Sequence, residues 1–296
     1  MNRRTGLTWV GFNIVLLAGM TALNLLVEPP ASGPTTAPLA VVGSVVGQVE
    51  VHGVGSPRWE KASVGRMLSE GDEIRSSLFS EVTLYLRDSS SVVITPNTSF
   101  VVGADQIEKL SFELGEGRIT AAIPESAKKV YLFRSRGSDA VAATKEGEFS
   151  LSSDGKGTVT LDTRKGKVKL EAKGKEISVP KGKRSVVLPD KEPSKLMPIP
   201  ASVALQVRWP STKLDKTTTK LTGKTEAGAM VLVNGILVRA DNQGAFSLDV
   251  PLHEGENRLV VTSTGTSGDS ARRESPEIQV DTRPPEVRVD AEGLWK

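Results

Sequence analysis

Hydrophobic and polar residues alternate over short stretches along most of the chain after residue 38. Val159 and Leu161 flank a threonine, and Val168, Leu170 and Ala172 are separated by charged residues. A period of two is the pattern of a β-strand with one buried face and one face in water. Gly, Asp, Asn and Pro interrupt such runs at intervals of about eight to twelve residues, as turns do. The pattern therefore predicts a mostly β protein.

The alternating runs predict one set of strands before residue 190 and a second set after residue 203. The first set is 40–51, 81–86, 91–95, 118–123, 130–134, 147–152, 157–162, 167–171, 176–180 and 184–188. The second set is 203–209, 217–223, 229–233, 236–240, 245–251, 257–264 and 274–281. Seven short strands within one region are typical of an Ig-like β-sandwich.

One N-terminal stretch breaks the strand pattern. Residues 7–27 contain no charged side chain, and a helix of this length is about 32 Å long, which matches a bilayer core of about 30 Å. Arg3 and Arg4 precede the stretch. The positive-inside rule then places residues 1–6 in the cytoplasm and the rest of the chain outside. A cleaved secretory signal is the alternative, and it also exports the body of the protein.

Proline-rich segments separate the predicted parts. Residues 28–38 contain four prolines and predict an extended spacer after the transmembrane anchor. Residues 191–202 predict a second linker, which divides a β domain at 39–190 from a β-sandwich at 203–281. Residues 282–296 are interpreted as a C-terminal tail or a lone added strand.

Several motifs of the first β domain occur in a recognisable order. They are Gly47-Gln48-Val49, Trp59, Gly71-Asp72-Glu73-Ile74-Arg75-Ser76, Leu86-Arg87-Asp88 and Pro96-Asn97-Thr98-Ser99. Their order and spacing resemble the periplasmic domain of FecR-type proteins, the ferric-citrate-regulator family, and residues 146–151 and 164–168 resemble later strands of that domain. The resemblance implies a periplasmic β domain. Because only about six residues precede the predicted span, a direct cytoplasmic contact with a sigma factor is not expected.

The motif residues of this domain are interpreted mainly as scaffold. Gly71-Asp72 and Asp88-Ser89 supply turns and hydrogen bonds from side chain to backbone. Trp59, Leu68, Ile74 and Leu84 are core candidates. For Trp59, a platform that stacks on a sugar is the alternative.

The second β region carries a more complete motif. Its members are Gly223, Thr225, Gly228, Val231, Val233, Asn234, Gly235, Asp241, Gly244, Phe246, Val250, Leu252, Gly255, Asn257, Leu259 and Val261. They resemble bacterial Ig-like domains of the glucodextranase-B kind, which implies a module for attachment or spacing, without a catalytic role. Asn234-Gly235 predicts a tight hairpin turn, since both residues tolerate positive φ. The oxygen-rich loop at 241–244 is interpreted as a hairpin loop in preference to a calcium site.

Basic residues concentrate between Arg164 and Lys195. This stretch holds eleven Lys or Arg against four acids, a net charge of +7 in a chain whose total is +3. A positive face of this kind can bind an anionic polymer such as peptidoglycan or polysaccharide. The candidate residues are Arg164, Lys165, Lys167, Lys169, Lys173, Lys175, Lys181, Lys183 and Arg184. The alternative is that the lysines protect exposed strands from pairing with other chains. Nucleic acid is not an expected partner, because no aromatic residues lie among the lysines to stack on bases.

The residues needed for common catalytic sites are scarce. The chain has no cysteine and only two histidines, His52 and His253. It also lacks the usual phosphate-binding, zinc-protease and serine-hydrolase motifs. We therefore expect no enzyme, no cofactor and no metal.

Together these features predict a single-pass protein of the bacterial inner membrane with its bulk in the periplasm. Its two β domains would serve as a binding or scaffolding surface for another envelope protein. Two alternatives stay open at this point. One is a transmembrane sensor or regulator subunit of a FecR-type signalling system, and the other is a module that binds peptidoglycan or polysaccharide.

Overall fold

The computed structural model describes residues 38–266 and 268–284, which belong to one compact unit. These residues are mostly β, as the sequence predicts. They form two successive β regions, a first region at 38–202 and a second region at 203–284. The predicted cytoplasmic tail, the predicted transmembrane anchor and all but the last residue of the first spacer lie outside the described residues, as do residues 285–296 of the tail. In the described part of the chain, no helix is long and apolar enough to cross a membrane.

Seventeen strands build the first region in the described residues. They are β1 (Ala40–Val46), β2 (Val49–His52), β3 (Glu60–Lys61), β4 (Met67–Leu68), β5 (Glu73–Ser76), β6 (Glu81–Leu86), β7 (Ser91–Ile94), β8 (Thr98–Asp105), β9 (Lys109–Leu114), β10 (Glu116–Ile123), β11 (Val130–Ser135), β12 (Val141–Thr144), β13 (Gly147–Asp154), β14 (Val159–Ala172), β15 (Lys175–Pro180), β16 (Lys183–Val187) and β17 (Met197–Pro198).

These strands pair into two sheets that share one long strand. Sheet A has the order β4-β1-β6-β7-β10-β13-β14-β16-β17. Sheet B has the order β3-β2-β5-β8-β9-β11-β12-β14-β15. All these pairs are antiparallel except β9 with β11. Because β14 belongs to both sheets, the strands form one large curled sheet.

An aromatic row forms the centre of the core between the two sheets. Phe100, Phe112 and Phe133 lie on three neighbouring strands of sheet B, with ring centroids 5.4 and 5.2 Å apart in succession. Phe149 on sheet A meets Phe133 edge to face at 5.2 Å. These residues are at most 1% exposed. The paired rings therefore hold the two sheets against each other by burial and by favourable ring geometry.

Ten strands build the second region in the described residues. They are β18 (Gln206–Arg208), β19 (Lys213–Leu214), β20 (Thr218–Lys224), β21 (Met230–Val233), β22 (Ile236–Arg239), β23 (Ala245–Pro251), β24 (Gly255–Asn257), β25 (Val260–Thr264), β26 (Ser270–Glu274) and β27 (Ile278–Val280). They pair as β18-β20-β23, β19-β27-β24 and β22-β21-β25-β26. The three small sheets enclose a separate core that includes Leu221, Val231, Val261 and Ile278.

Several predicted strand boundaries are wrong. The predicted strand 40–51 is two strands, because Gly47 adopts a φ of 75° and the chain passes from sheet A to sheet B there. Conversely, the predicted strands 157–162 and 167–171 fall on the single strand β14. In the second region, the predicted strand 257–264 divides between β24 and β25, and 274–281 covers the end of β26 and β27.

The start of β14 also departs from the predicted alternation. Thr160 is 6% exposed and Asp162 is fully buried, although the pattern put the polar positions of this run in water. Both faces of the strand are buried over 159–163. The alternation returns further on, where Val168 and Leu170 are buried and Lys169 is exposed.

Residues 191–202, expected to be a linker, include a strand of sheet A. Met197 and Pro198 pair with Arg184 and Lys183. The Ser194 N–H also donates to the Val186 carbonyl at 2.8 Å. The segment is therefore fastened to the first region before the second region begins.

Candidate functional site

A buried ion pair lies at the end of the first region that meets the second. Asp162 on β14 and Arg184 on β16 are register partners in sheet A. The Arg184 Nε donates to Asp162 Oδ1 at 2.5 Å, and its Nη2 donates to Oδ2 at 2.7 Å. The side chains are 7% and 1% exposed. This bidentate geometry is the strongest form of an arginine–carboxylate contact.

The same arginine continues the ion pair into the second region. Its Nη1 donates to Glu226 Oε1, which also accepts a hydrogen bond from Thr266 Oγ1 at 2.5 Å. Asp162, Arg184 and Glu226 are called the junction bridge below. Because the arginine is the middle member, one guanidinium holds carboxylates from both regions at once.

Burial governs the charge states in the junction bridge. Burial raises the pKa of the Asp162 carboxyl, and the nearby Glu226 adds to that rise, while Arg184 opposes it. Burial lowers the pKa of Arg184, but the hydrogen bond to Asp162 and the two carboxylates raise it overall. The arginine is thus positively charged, and it compensates the buried carboxylates.

The backbone beside Glu226 fits closely around the carboxylate. Gly265 has no side chain, and a Cβ there would lie 2.2 Å from Glu226 Oε2. Among the described residues, this oxygen is buried without a hydrogen-bond partner. A larger residue at Gly265 would therefore displace Glu226.

Further contacts cross between the regions around the junction bridge. The Arg118 Nη1 donates to the Gly265 carbonyl at 3.1 Å, and Arg239 Nη2 lies 3.1 Å from Glu116 Oε1. The Asn97 Nδ2 lies 3.4 Å from the Met230 sulfur. A cavity of only about 20 Å³ lies among residues from both regions there. The contact surface is close-packed and polar.

Eight of the nine candidate basic residues fall into three groups. Arg184 is buried in the junction bridge, so its assignment to a polymer-binding face is wrong. Lys169, Lys173 and Lys175 are ion-paired with Glu176, Asp190 and Glu192 at 2.8, 3.0 and 2.5 Å. Lys165, Lys167, Lys181 and Lys183 are exposed, and no acidic side chain described in the structure forms an ion pair with them.

The four unpaired lysines lie around a bend in β14, close to the exposed Arg164. Gly166 has a φ of 73° at the bend, and the Lys181 N–H donates to its carbonyl at 3.0 Å. Lys183 is the register partner of Thr163, and the Gly182 N–H donates to the Thr163 carbonyl at 2.8 Å. Lys165, Lys167, Lys181 and Lys183 are called the basic elbow below.

The motif turns of the first region carry backbone hydrogen bonds. Asp72 accepts from the N–H groups of Val54 and Ser69 at 3.1 and 2.9 Å, next to Gly71 with a φ of 89°. Asp88 accepts from the Ser90 N–H at 3.1 Å and from the Tyr131 hydroxyl at 2.5 Å. These two carboxylates therefore fasten their loops to the backbone.

Three of the four predicted core residues of the first region are buried, and the fourth lies at the surface. Leu68, Ile74 and Leu84 are fully buried. Trp59 is half-buried at the surface, so its assignment to the core is wrong. The Arg75 guanidinium lies 4.0 Å from the centroid of the Trp59 ring, and the centroid of the His52 ring lies 5.2 Å from it.

Pro96 and Asn97 form the turn before β8, where Asn97 has a φ of 52° and faces the second region.

The motif residues of the second region form its hairpins. Asn234 and Gly235, with φ values of 45° and 89°, make a two-residue turn in which Val233 pairs with Ile236. Asp241 Oδ1 accepts from the Gln243 and Ala245 N–H groups in the loop that holds Gly244. Asn257 binds the backbone of His253 and of Gly255. Phe246 is buried in the core.

Sequence reasoning missed two members of the junction bridge. Asp162 and Glu226 are 64 positions apart and belong to no common motif. The only signal was an acid at a strand position next to a dense basic stretch. In the described residues, no cluster of three or more His, Asp or Glu has the geometry to hold a metal ion.

Comparison with known proteins gives distant likenesses. No protein-family profile and no curated protein matches the chain. Two crystal structures of a candidate anti-sigma factor from Parabacteroides distasonis ATCC 8503 match with a TM-score of 0.37 each, at 16% and 15% identity. Each match covers 42% of this chain and 57% of that one. A polysaccharide lyase matches with a TM-score of 0.19 and 10% identity over 87% of this chain and 42% of its own.

Proposed function

We propose that this chain is a non-enzymatic, membrane-anchored envelope protein. Its FecR-like region and its Ig-like β-sandwich act together as a binding or scaffolding surface for another envelope protein. The observation that carries the proposal is the junction bridge, in which Arg184 binds carboxylates of both regions. The family motifs support the placement of the two regions outside the cytoplasm.

A buried bridge suits a scaffold for a physical reason. Removing charges from water costs several kcal/mol for each ion, and only close, well-aligned partners offset that cost. A junction built in this way therefore favours one relative placement of the two regions. A fixed placement lets surfaces on both regions contact the same partner, with less conformational entropy lost on binding.

Crosslinking in living cells followed by affinity capture of the full-length chain tests the proposal. We expect one or two envelope proteins at near-stoichiometric yield. A matched capture with Glu226→Gln, which removes the charge from the second-region end of the bridge, is expected to lower that yield. Capture of a regulator would favour the sensor alternative, and capture of no protein would contradict the scaffold.

The basic elbow favours a second function, the binding of an anionic envelope polymer. Its four lysines have no acidic partners among the described residues, so their ammonium groups are available to carboxylates or phosphates of a glycan. Such binding depends on long-range attraction and weakens as salt screens it.

Two matched triple variants test the second function. Lys165→Gln, Lys167→Gln and Lys183→Gln remove three unpaired charges. Lys169→Gln, Lys173→Gln and Lys175→Gln remove three paired charges from the same stretch. In a pull-down with purified peptidoglycan or polysaccharide, only the first set is expected to abolish salt-sensitive binding. Equal losses for both sets, or binding that ignores salt, would contradict a role of the elbow.

A further inference from the structure

A cavity of about 260 Å³ opens between the two sheets of the first region. Leu86 comes from sheet A, Leu110 and Tyr131 come from sheet B, and Leu39 precedes β1. The volume equals about nine water-sized groups at roughly 30 Å³ each. It is therefore large enough for a short aliphatic chain.

The inner wall of this cavity is apolar and fixed in place. Leu39, Leu86, Leu110 and Tyr131 are between 2% and 6% exposed, and all four belong to the core. The hydroxyl of Tyr131 donates to Asp88 and accepts from Ser90 Oγ at 3.1 Å. Because the polar end of the tyrosine is already bonded, its ring presents an apolar surface to the cavity.

The mouth of the cavity has a surplus of positive charge. Asp105 is ion-paired with Lys129, and Asp88 already accepts two hydrogen bonds. Arg87 and Lys128 are exposed at the mouth, and neither forms an ion pair with any acid that the structure describes. An apolar interior beside two unpaired cations is complementary to a ligand with an apolar body and an anionic end.

We propose that this cavity binds an aliphatic carboxylate. The hydrocarbon chain lies against the three leucines and Tyr131, and the carboxylate is held by Arg87 and Lys128. Two sources share this chemistry, a free fatty acid and the C-terminal apolar residue of a peptide. The site is independent of the junction bridge, so its failure would leave the scaffold proposal intact.

Calorimetric titration of the full-length chain distinguishes the ligand chemistry. We expect octanoate to bind more tightly than octan-1-ol or octylamine, which have the same chain and no negative charge. A pentapeptide ending in leucine and its C-terminally amidated form are the second pair of probes. Tighter binding of octanoate than of the peptide assigns the site to fatty acids, and the reverse assigns it to peptide termini. If neither carboxylate binds, the proposal is overturned.

Three variants locate the binding to this cavity. Arg87→Gln with Lys128→Gln is expected to weaken octanoate binding by about fivefold or more, because two charge contacts are lost. Arg58→Gln with Lys61→Gln removes the same charge at exposed positions outside the cavity lining and is expected to change nothing. Ser126→Trp places a bulky ring at the mouth, from an exposed loop position, and is expected to abolish binding. Octanoate binding unchanged by Ser126→Trp would also overturn the proposal.

Discussion

At the residue scale, Arg184 combines burial with two carboxylate partners. It is 7% exposed, and it binds one carboxylate in its own region and one in the next. A buried charge without its partner is far more costly than an apolar residue in the same place. The arrangement therefore requires all three members of the junction bridge together.

Replacement of Arg184 by methionine is expected to lower the free energy of unfolding by about 3–5 kcal/mol, because two buried carboxylates lose their partner. Urea denaturation measures this change. Combining it with Asp162→Leu and Glu226→Leu is expected to restore most of the loss, since no buried charge then remains. If Arg184→Met alone were as stable as the wild type, the three charges of the junction bridge would have to be hydrated and not buried.

The hydrogen bond from Tyr131 to Asp88 makes a pH-dependent contribution to stability. Burial raises the pKa of Asp88, but the hydrogen bonds from Tyr131 and Ser90 lower it below its ordinary value of 3.8 overall. A lowered pKa in the folded state means that the carboxylate stabilises the fold above the ordinary pKa. That contribution is lost as the pH falls through the lowered value.

Tyr131→Phe is therefore expected to cost about 2–4 kcal/mol near neutral pH, because the hydrogen bond to the charged Asp88 and the hydrogen bond from Ser90 are both lost. The difference from the wild type should shrink as the pH falls below 3.8 and through the lowered pKa of Asp88 in the wild type, because the carboxylate charge is then lost in both proteins. Urea denaturation at pH 7 and at pH 3 measures both values. A difference that is equal at the two pH values would exclude the charge of Asp88 as its cause.

Roles that depend on neighbours in the sequence were easier to predict than roles that depend on contacts between distant parts of the chain. Asp72 and Asp88 accept hydrogen bonds from backbone N–H groups three and two positions away, and Asn234 has the positive φ of a two-residue turn, so turn chemistry alone suggested their roles. Arg184 was placed on a water-facing surface because ten other basic residues surround it in sequence. Its burial depends on Glu226, 42 positions away, and no local pattern carries that information.

At the element scale, β14 connects the two sheets of the first region. Its first part pairs with β13 and β16 in sheet A, and its second part pairs with β12 and β15 in sheet B. The bend between the two parts lies at Gly166, opposite Gly147 on β13. Close approach of the two backbones at these glycines allows one strand to serve both sheets.

Gly147→Ala tests this bend. Gly147 has a φ of 127°, and a Cβ there would lie 2.6 Å from the Lys165 carbonyl oxygen. We expect a loss of roughly 1–3 kcal/mol from backbone strain, with the steric clash adding to it. Gly174→Ala is the control, because Gly174 has a φ of 73° and open space around it. Thermal denaturation should show the larger fall in melting temperature for Gly147→Ala. Equal falls in melting temperature would mean that the close approach of Gly147 to the Lys165 carbonyl does not contribute to stability.

Eight strands of the described residues were missed by the strand prediction. β3, β4, β17 and β19 have only two residues each, too few to show a period, but β5, β8, β9 and β12 have four to eight residues and were missed as well. The bend in β14 was read as a turn between two strands, because the glycine and the run of charges around it resemble a loop. Pairing across the bend comes from neighbouring strands, which local propensity does not describe.

At the scale of the whole molecule, the proposed function depends on how the two β regions meet. The sequence suggested two modules separated by a proline-rich spacer. In the structure, the segment is paired with β16, and Arg184, Arg118 and Arg239 contact partners across the junction. The contacts across the junction link residues far apart in sequence, so a linear pattern could not indicate them. These contacts join the two regions into one compact unit.

The distance between spin labels on the two regions shows whether the junction between them is fixed. The chain has no cysteine, so Lys156→Cys and Lys220→Cys, both at exposed positions, label one site in each region of the full-length protein. Double electron–electron resonance should give one narrow distance distribution. Adding Glu226→Gln should broaden it while each region stays folded. A broad distribution in the protein with an intact junction bridge would contradict a fixed junction and, with it, the scaffold account.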